Sequence, residues 1–75
     1  MESNLLKMDG YDDCIVGICH KHGQEPFIVY SYDKVINNLM QQGMDYDEAV
    51  EFHEFNQASA WMGPTTPAFL YKYDI

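Results

Sequence analysis

The chain contains no arginine, and its fixed positive charge comes from four lysines set against twelve aspartates and glutamates, a formal net charge of -8 on 75 residues. Phosphate backbones and anionic lipid headgroups repel such a chain, so direct binding of nucleic acid or of a membrane surface is not expected. Long hydrophobic runs are also missing. The start, Met1-Glu2-Ser3-Asn4-Leu5-Leu6-Lys7, has no basic region leading into an apolar stretch, so neither a signal peptide nor a spanning segment is expected, and the expected location is the cytoplasm. With only two cysteines there is no disulfide framework. No glycine-rich phosphate loop occurs, and no serine or cysteine nucleophile sits in a glycine elbow.

What is present is apolar. Hydrophobic residues make up 47% of the chain and aromatics 15%, far above the composition of a disordered acidic tail, so the chain folds. Seventy-five residues leave room for one domain, read here as 1–75 with residues 1–10 as a lead-in closed by Gly10. A chain this short buries only about 60% of the surface its unfolded form exposes. So much apolar sequence around so little interior points to a face buried against a second copy or a partner, and a homodimer is the expected state.

Along the chain, Tyr11 to His20 contains Cys14, Val16 and Ile18 alternating with Ile15, Gly17 and Cys19. Both sets are apolar or small, as in a strand covered on two sides and central in its sheet. Lys21 to Glu25 is polar and holds Gly23, and Pro26 opens a second β-rich run, Phe27-Ile28-Val29-Tyr30, which completes a hairpin. Ser31 is a good N-cap. After it Tyr32, Val35, Ile36, Leu39 and Met40 recur at helical spacing, and Gly43 ends the helix. Asp45 and Glu48 form a D-x-x-E capping box that starts a second helix running to about Ala58, with Tyr46, Ala49, Val50 and His53 on its core face, Phe52 flanking them and Phe55 opposite. Trp61 to Pro67 carries a glycine and two prolines and reads as a loop. Ala68 to Tyr73 alternates as a third strand, with Phe69, Tyr71 and Tyr73 on one side. The order ββααβ predicts an α+β fold, a three-stranded antiparallel sheet with two helices packed on one face.

Three groups of residues are candidates for chemistry. Cys14, Cys19, His20 and His22 are metal-binding residue types, but a structural zinc site needs closely spaced pairs on turns that converge on a tetrahedron. On one extended strand the two thiols point to opposite faces about 16 Å apart, so neither a disulfide nor a metal site is expected. His53, with Glu54 or Asp13, invites an acid-base reading. Without a nucleophile or a paired carboxylate beside it, a packed, hydrogen-bonded histidine is the better one. The chain is accordingly read as a non-enzyme without metal or cofactor.

The third group is the polar side of the second helix, where Asp47, Glu51 and Glu54 stand at i, i+4 and i+7, joined by Glu48. No lysine lies four residues on from any of them, so like charges repel along the stripe. Neighbouring carboxylates there are about 6 Å apart, close to the spacing of successive phosphates, and Phe55 is an apolar anchor beside them. This suits a surface for a basic protein partner. The competing reading is an ordinary solvated helix face with one stray phenylalanine. A second interface is expected on the sheet, where Phe69, Tyr71 and Tyr73, or Phe27 and Val29, are left on the face away from the helices and serve a homodimer.

Several stretches also carry a resemblance. Met8-Asp9-Gly10-Tyr11-Asp12-Asp13, Tyr32-Asp33-Lys34-Val35-Ile36, Glu48-Ala49-Val50-Glu51 through Phe55-Asn56, and Ala60-Trp61-Met62-Gly63 leading to Thr66-Pro67 resemble a family of small uncharacterised proteins encoded by tailed bacteriophages. The likeness covers about residues 8 to 71, and none of its strings has a mechanism attached. It implies an origin and no catalytic residues. It also implies a mode of action, since small acidic phage proteins often work by binding host proteins, including nucleic-acid-binding and defence proteins; the acidic helix face would then occupy a nucleic-acid-binding surface by charge mimicry.

Overall fold

The computed structural model describes residues 5–58 and 63–73. Its elements are a 3-10 turn at Asp12–Cys14, strands β1 (Ile15–Cys19) and β2 (Phe27–Ser31), helices α1 (Tyr32–Gln41) and α2 (Tyr46–His53), a π-helical turn at Glu54–Ala58, and strand β3 (Ala68–Leu70). This is a small α+β fold in the order ββααβ, with strand order β1-β2-β3.

The hairpin forms where the polar segment bends. The Gln24 N–H donates to the Lys21 carbonyl at 3.0 Å, and Gly23 supplies the positive φ of 80° that such a turn needs. Ser31 ends β2 and caps α1, its Oγ accepting from the Lys34 N–H at 3.3 Å. At the other end Gly43, at φ 112°, takes the left-handed conformation that releases the chain. Both hydrogen bonds of the capping box at α2 are made: Asp45 Oδ1 accepts from the Glu48 N–H at 2.8 Å, and the Asp45 N–H donates to Glu48 Oε1 at 3.0 Å.

The sheet is mixed, which corrects the expectation of a wholly antiparallel one. β1 and β2 are antiparallel, but β3 runs parallel to β2, with Val29 against Ala68, Tyr30 against Phe69 and Ser31 against Leu70. Strand direction depends on how far a connection reaches. The chain reaches β3 only after both helices, a crossover of the kind that parallel pairing requires.

A second correction concerns β1, which is an edge strand; the central one is β2. Helix α1 follows β2 directly and covers it, so Ile28 and Tyr30 are buried while Val16 and Ile18 of β1 remain half exposed. Cys14 lies just before β1 in the 3-10 turn and points into the core, whereas Cys19 is exposed. The core gathers Cys14, Ile28, Tyr30, Val35, Ile36, Leu39 and Ala49. The lead-in contributes as well: Leu5, Met8 and Tyr11 pack against that core, and the Met8 N–H donates to the Tyr30 hydroxyl at 2.7 Å. Tyr46, expected on the core face of α2, is exposed because it opens the helix beyond the part that α1 covers; Ala49 and His53 are buried and Val50 half-buried.

Burial pushes the Cys14 thiol above its ordinary value of 9.0, with Asp13 adding to the rise and Lys34 opposing it. Only the thiolate reacts with a disulfide reagent, so native protein is expected to label at Cys19 at once and at Cys14 only on opening, about a thousandfold or more slowly. Time-resolved labelling with mass spectrometry reads this. The same shift sets a pH dependence. Above pH 9.0 the unfolded thiol loses its proton while the folded one keeps it, so stability present below that pH falls as pH rises through the folded value. Tyr32 adds a similar loss above its ordinary 10.0, again chiefly through burial, then through Tyr46, Tyr71, Glu54 and Asp33. Urea midpoints measured from pH 7 to 11 check both, and Cys14→Ala should remove the earlier part of the decline.

Candidate protein interface

Helix α2 is short and strongly capped, and its capping box decides which carboxylates face outward. Glu48 is exposed but its Oε1 is held by the Asp45 N–H, so part of its charge serves the helix N-terminus, where negative charge is stabilising. Asp47 and Glu51 are exposed and have no ion pair among the described residues, and Glu54 is exposed at the start of the π-helical turn. The one ion pair given by the described residues, Lys7–Asp12 at 3.5 Å, lies elsewhere and is itself solvated.

Beside these carboxylates the surface is apolar. Phe55 is 76% exposed and Phe52 37% exposed, and together with Met44, Glu48, Glu51 and Asn56 they line an open groove of about 340 Å³. On the other flank of the Glu48–Glu51 ridge, Asp47 and Glu54 border a second shallow depression with Tyr46 and Val50. The five residues singled out in the sequence therefore divide. Glu48, Glu51 and Phe55 meet in one groove, while Asp47 and Glu54 stand across the ridge from it. Met44 and Phe52 were not among the expected site residues. Their signal was present, since Phe52 is four residues on from Glu48 and three before Phe55, which places all three on adjoining turns.

His53 belongs to the packing. It is fully buried, and its Nδ1 is 2.8 Å from Oε1 of Gln57, four residues on and within the π-helical turn. Its ring meets Phe69 edge-on at 4.5 Å and Tyr32 at 5.2 Å, and Tyr32 in turn stacks on Tyr71 at 4.2 Å. Among the described residues Nε2 has no hydrogen-bond partner, and no carboxylate or nucleophile is hydrogen-bonded to the ring. Apart from Gln57, the described residues around it present aromatic surface, which gives an imidazole packing and orientation.

The same contacts show where the residues expected at a sheet interface lie. Phe69 turns toward the helices, against Tyr30 and His53, because it pairs directly with Tyr30 and so shares its face. Tyr71 lies beyond the three-residue β3 on Tyr32, and Tyr73 is 81% exposed. The face away from the core carries Phe27 and Val29, both half-buried. Cys19, His20 and His22 are exposed and Cys14 is buried, and no three His, Cys, Asp or Glu side chains among the described residues are gathered so as to hold a metal ion. Nor is any helix among those residues long and apolar enough to cross a membrane.

No family model, no curated protein and no solved structure matches this chain.

Proposed function

We propose that this chain is a non-enzymatic protein that acts by binding a basic protein through the outer side of α2. The groove formed by Met44, Phe52 and Phe55 beside the Glu48 and Glu51 carboxylates carries this reading. An exposed aromatic pair offers the apolar anchor that interface energetics require, and the carboxylates along one wall select a partner bearing lysine or arginine. With net charge -8 the whole molecule adds long-range attraction for such a partner and repels nucleic acid. The resemblance to small phage proteins fits a cytoplasmic target in an infected bacterium, with competition for a nucleic-acid-binding surface as one form of inhibition.

Affinity capture of the tagged chain from nuclease-treated bacterial lysate tests this. The expected result is one dominant basic protein that salt releases. Recovery of no protein but the chain itself counts against the reading and favours a structural homo-oligomer.

A further inference from the structure

The groove on the outer side of α2 repeats one unit on two neighbouring turns. Glu48 and Phe52 stand four residues apart, and so do Glu51 and Phe55, with Phe55 carried by the π-helical turn that begins at Glu54. Side chains at this spacing lie on one helix face, one above the other. All four line the groove together with Met44 and Asn56, so each carboxylate has an aromatic ring for a neighbour.

The two units are not equivalent. Glu48 Oε1 accepts from the Asp45 N–H at 3.0 Å, and Phe52 is only 37% exposed, so the first unit is partly engaged in capping and packing. Glu51 is exposed and has no ion pair among the described residues. Phe55 is 76% exposed, and no ring among the described residues stacks on it. The remaining polar side chain of the groove, Asn56, turns its Nδ2 to the Phe52 carbonyl at 3.2 Å. What the groove offers a ligand is therefore a carboxylate and an open ring, while its one side-chain amide donor is engaged.

The group that matches this offer donates hydrogen bonds, carries positive charge and is flat. Lysine meets the first two conditions, but its ammonium is a compact, strongly hydrated point charge. The arginine guanidinium meets all three. It holds five donors in a planar fork, pairs with a carboxylate through two parallel N–H···O bonds and stacks on an aromatic face. It is also the more weakly hydrated of the two cations, so it gives up less on leaving water. Its methylene stem lies along apolar surface, which Met44 and Phe52 supply here.

From these observations we infer that the groove selects arginine over lysine in its basic partner, the guanidinium pairing with Glu51 and stacking on Phe55. The inference rests on the reading of α2 as the working surface and names the side chain that this surface takes. Charge alone does not give it, because a net charge of -8 attracts either cation alike. The selectivity comes from a ring standing beside the acid.

Titration of the full chain with two capped amphipathic peptides tests it. Both carry leucine at i, i+3, i+4 and i+7; one has arginine at every flanking basic position and the other has lysine there. The parent chain should bind the arginine peptide about fivefold or more tightly than the lysine peptide. Phe55→Leu keeps apolar bulk and removes the ring, so it should bring that ratio to within about twofold of unity, chiefly by weakening the arginine peptide. Glu51→Gln keeps the shape and removes the charge, and it should weaken both peptides, the arginine one more because a bidentate pair is lost. Both residues are exposed, so the variants should stay folded. Equal affinity for the two peptides, binding of neither at about millimolar concentration, or a preference that survives Phe55→Leu overturns the arginine assignment. Equal affinities that drop together in Glu51→Lys/Glu54→Lys overturn it while leaving α2 as the surface for a basic partner; peptides held equally by that variant and the parent remove both.

Discussion

A Glu51→Lys/Glu54→Lys variant is expected to lose its basic partner by about a hundredfold or more in affinity while remaining folded. Two reversals change the local charge by four units, Glu51 on the wall of the groove and Glu54 just across the ridge from it. Like charges set against each other at an interface cost several kcal/mol, and about 2.7 kcal/mol is a factor of a hundred. Both residues are exposed and lie C-terminal to the capping box, and lysine near a helix C-terminus is favourable, so helix stability should change little. The aromatic anchor gives an independent arm. Phe55→Ala should weaken binding with an unchanged salt slope, since it removes contact area and no charge, whereas the double lysine variant should flatten the slope. Titration calorimetry at two ionic strengths separates these outcomes. Binding that is unaltered in a folded double variant removes α2 as the interface.

Tyr30→Ala is expected to remove about 3–5 kcal/mol, a third or more of the domain's stability, and to lower its unfolding midpoint accordingly. Tyr30 is fully buried in the central strand, its ring lies 6.0 Å from that of Phe69, and its hydroxyl accepts the Met8 N–H. Truncating a buried aromatic to alanine costs about 3–5 kcal/mol. A 75-residue chain at about 0.05–0.15 kcal/mol per residue has roughly 4–11 kcal/mol to lose. Tyr30→Phe keeps the ring and leaves the Met8 donor unmatched, so its cost should be about 1–2 kcal/mol. Tyr73→Ala, at an exposed position, should stay within about 0.5 kcal/mol of the parent. Urea denaturation followed by circular dichroism orders the three, and a cooperative transition with an unmoved midpoint in Tyr30→Ala would show that the core is not centred there.

Local signals in the sequence were legible where a short stretch contains all the partners. Ser31 before Tyr32, the Asp45–Glu48 box and Gly43 between them each act within about one helical turn, and all three do what their chemistry dictates. The stripe of α1 likewise buries Val35, Ile36 and Leu39, leaving Met40 at the margin. Features decided by distant segments were not legible. Whether β1 or β2 is central depends on where α1 lands, and two-sided apolarity in β1 reflects small Gly17 and Cys19 as much as cover. The direction of β3 depends on a connection whose reach permits either sense. Because the register sets Phe69 beside buried Tyr30, Phe69 packs with His53, and a stripe that looks like an outward aromatic face is divided between packing and solvent. In the candidate interface the charged residues were readable from spacing, while the groove needed Met44, which precedes the helix and enters only through the turn.

The experiment to make first is affinity capture from nuclease-treated lysate at low and high salt, using the parent chain and the Glu51→Lys/Glu54→Lys variant side by side. One basic protein retained by the parent, released by salt and absent from the variant is the expected result. A partner held equally by both chains, or no partner beyond a second copy of the chain, would contradict the assignment of α2 as the working surface.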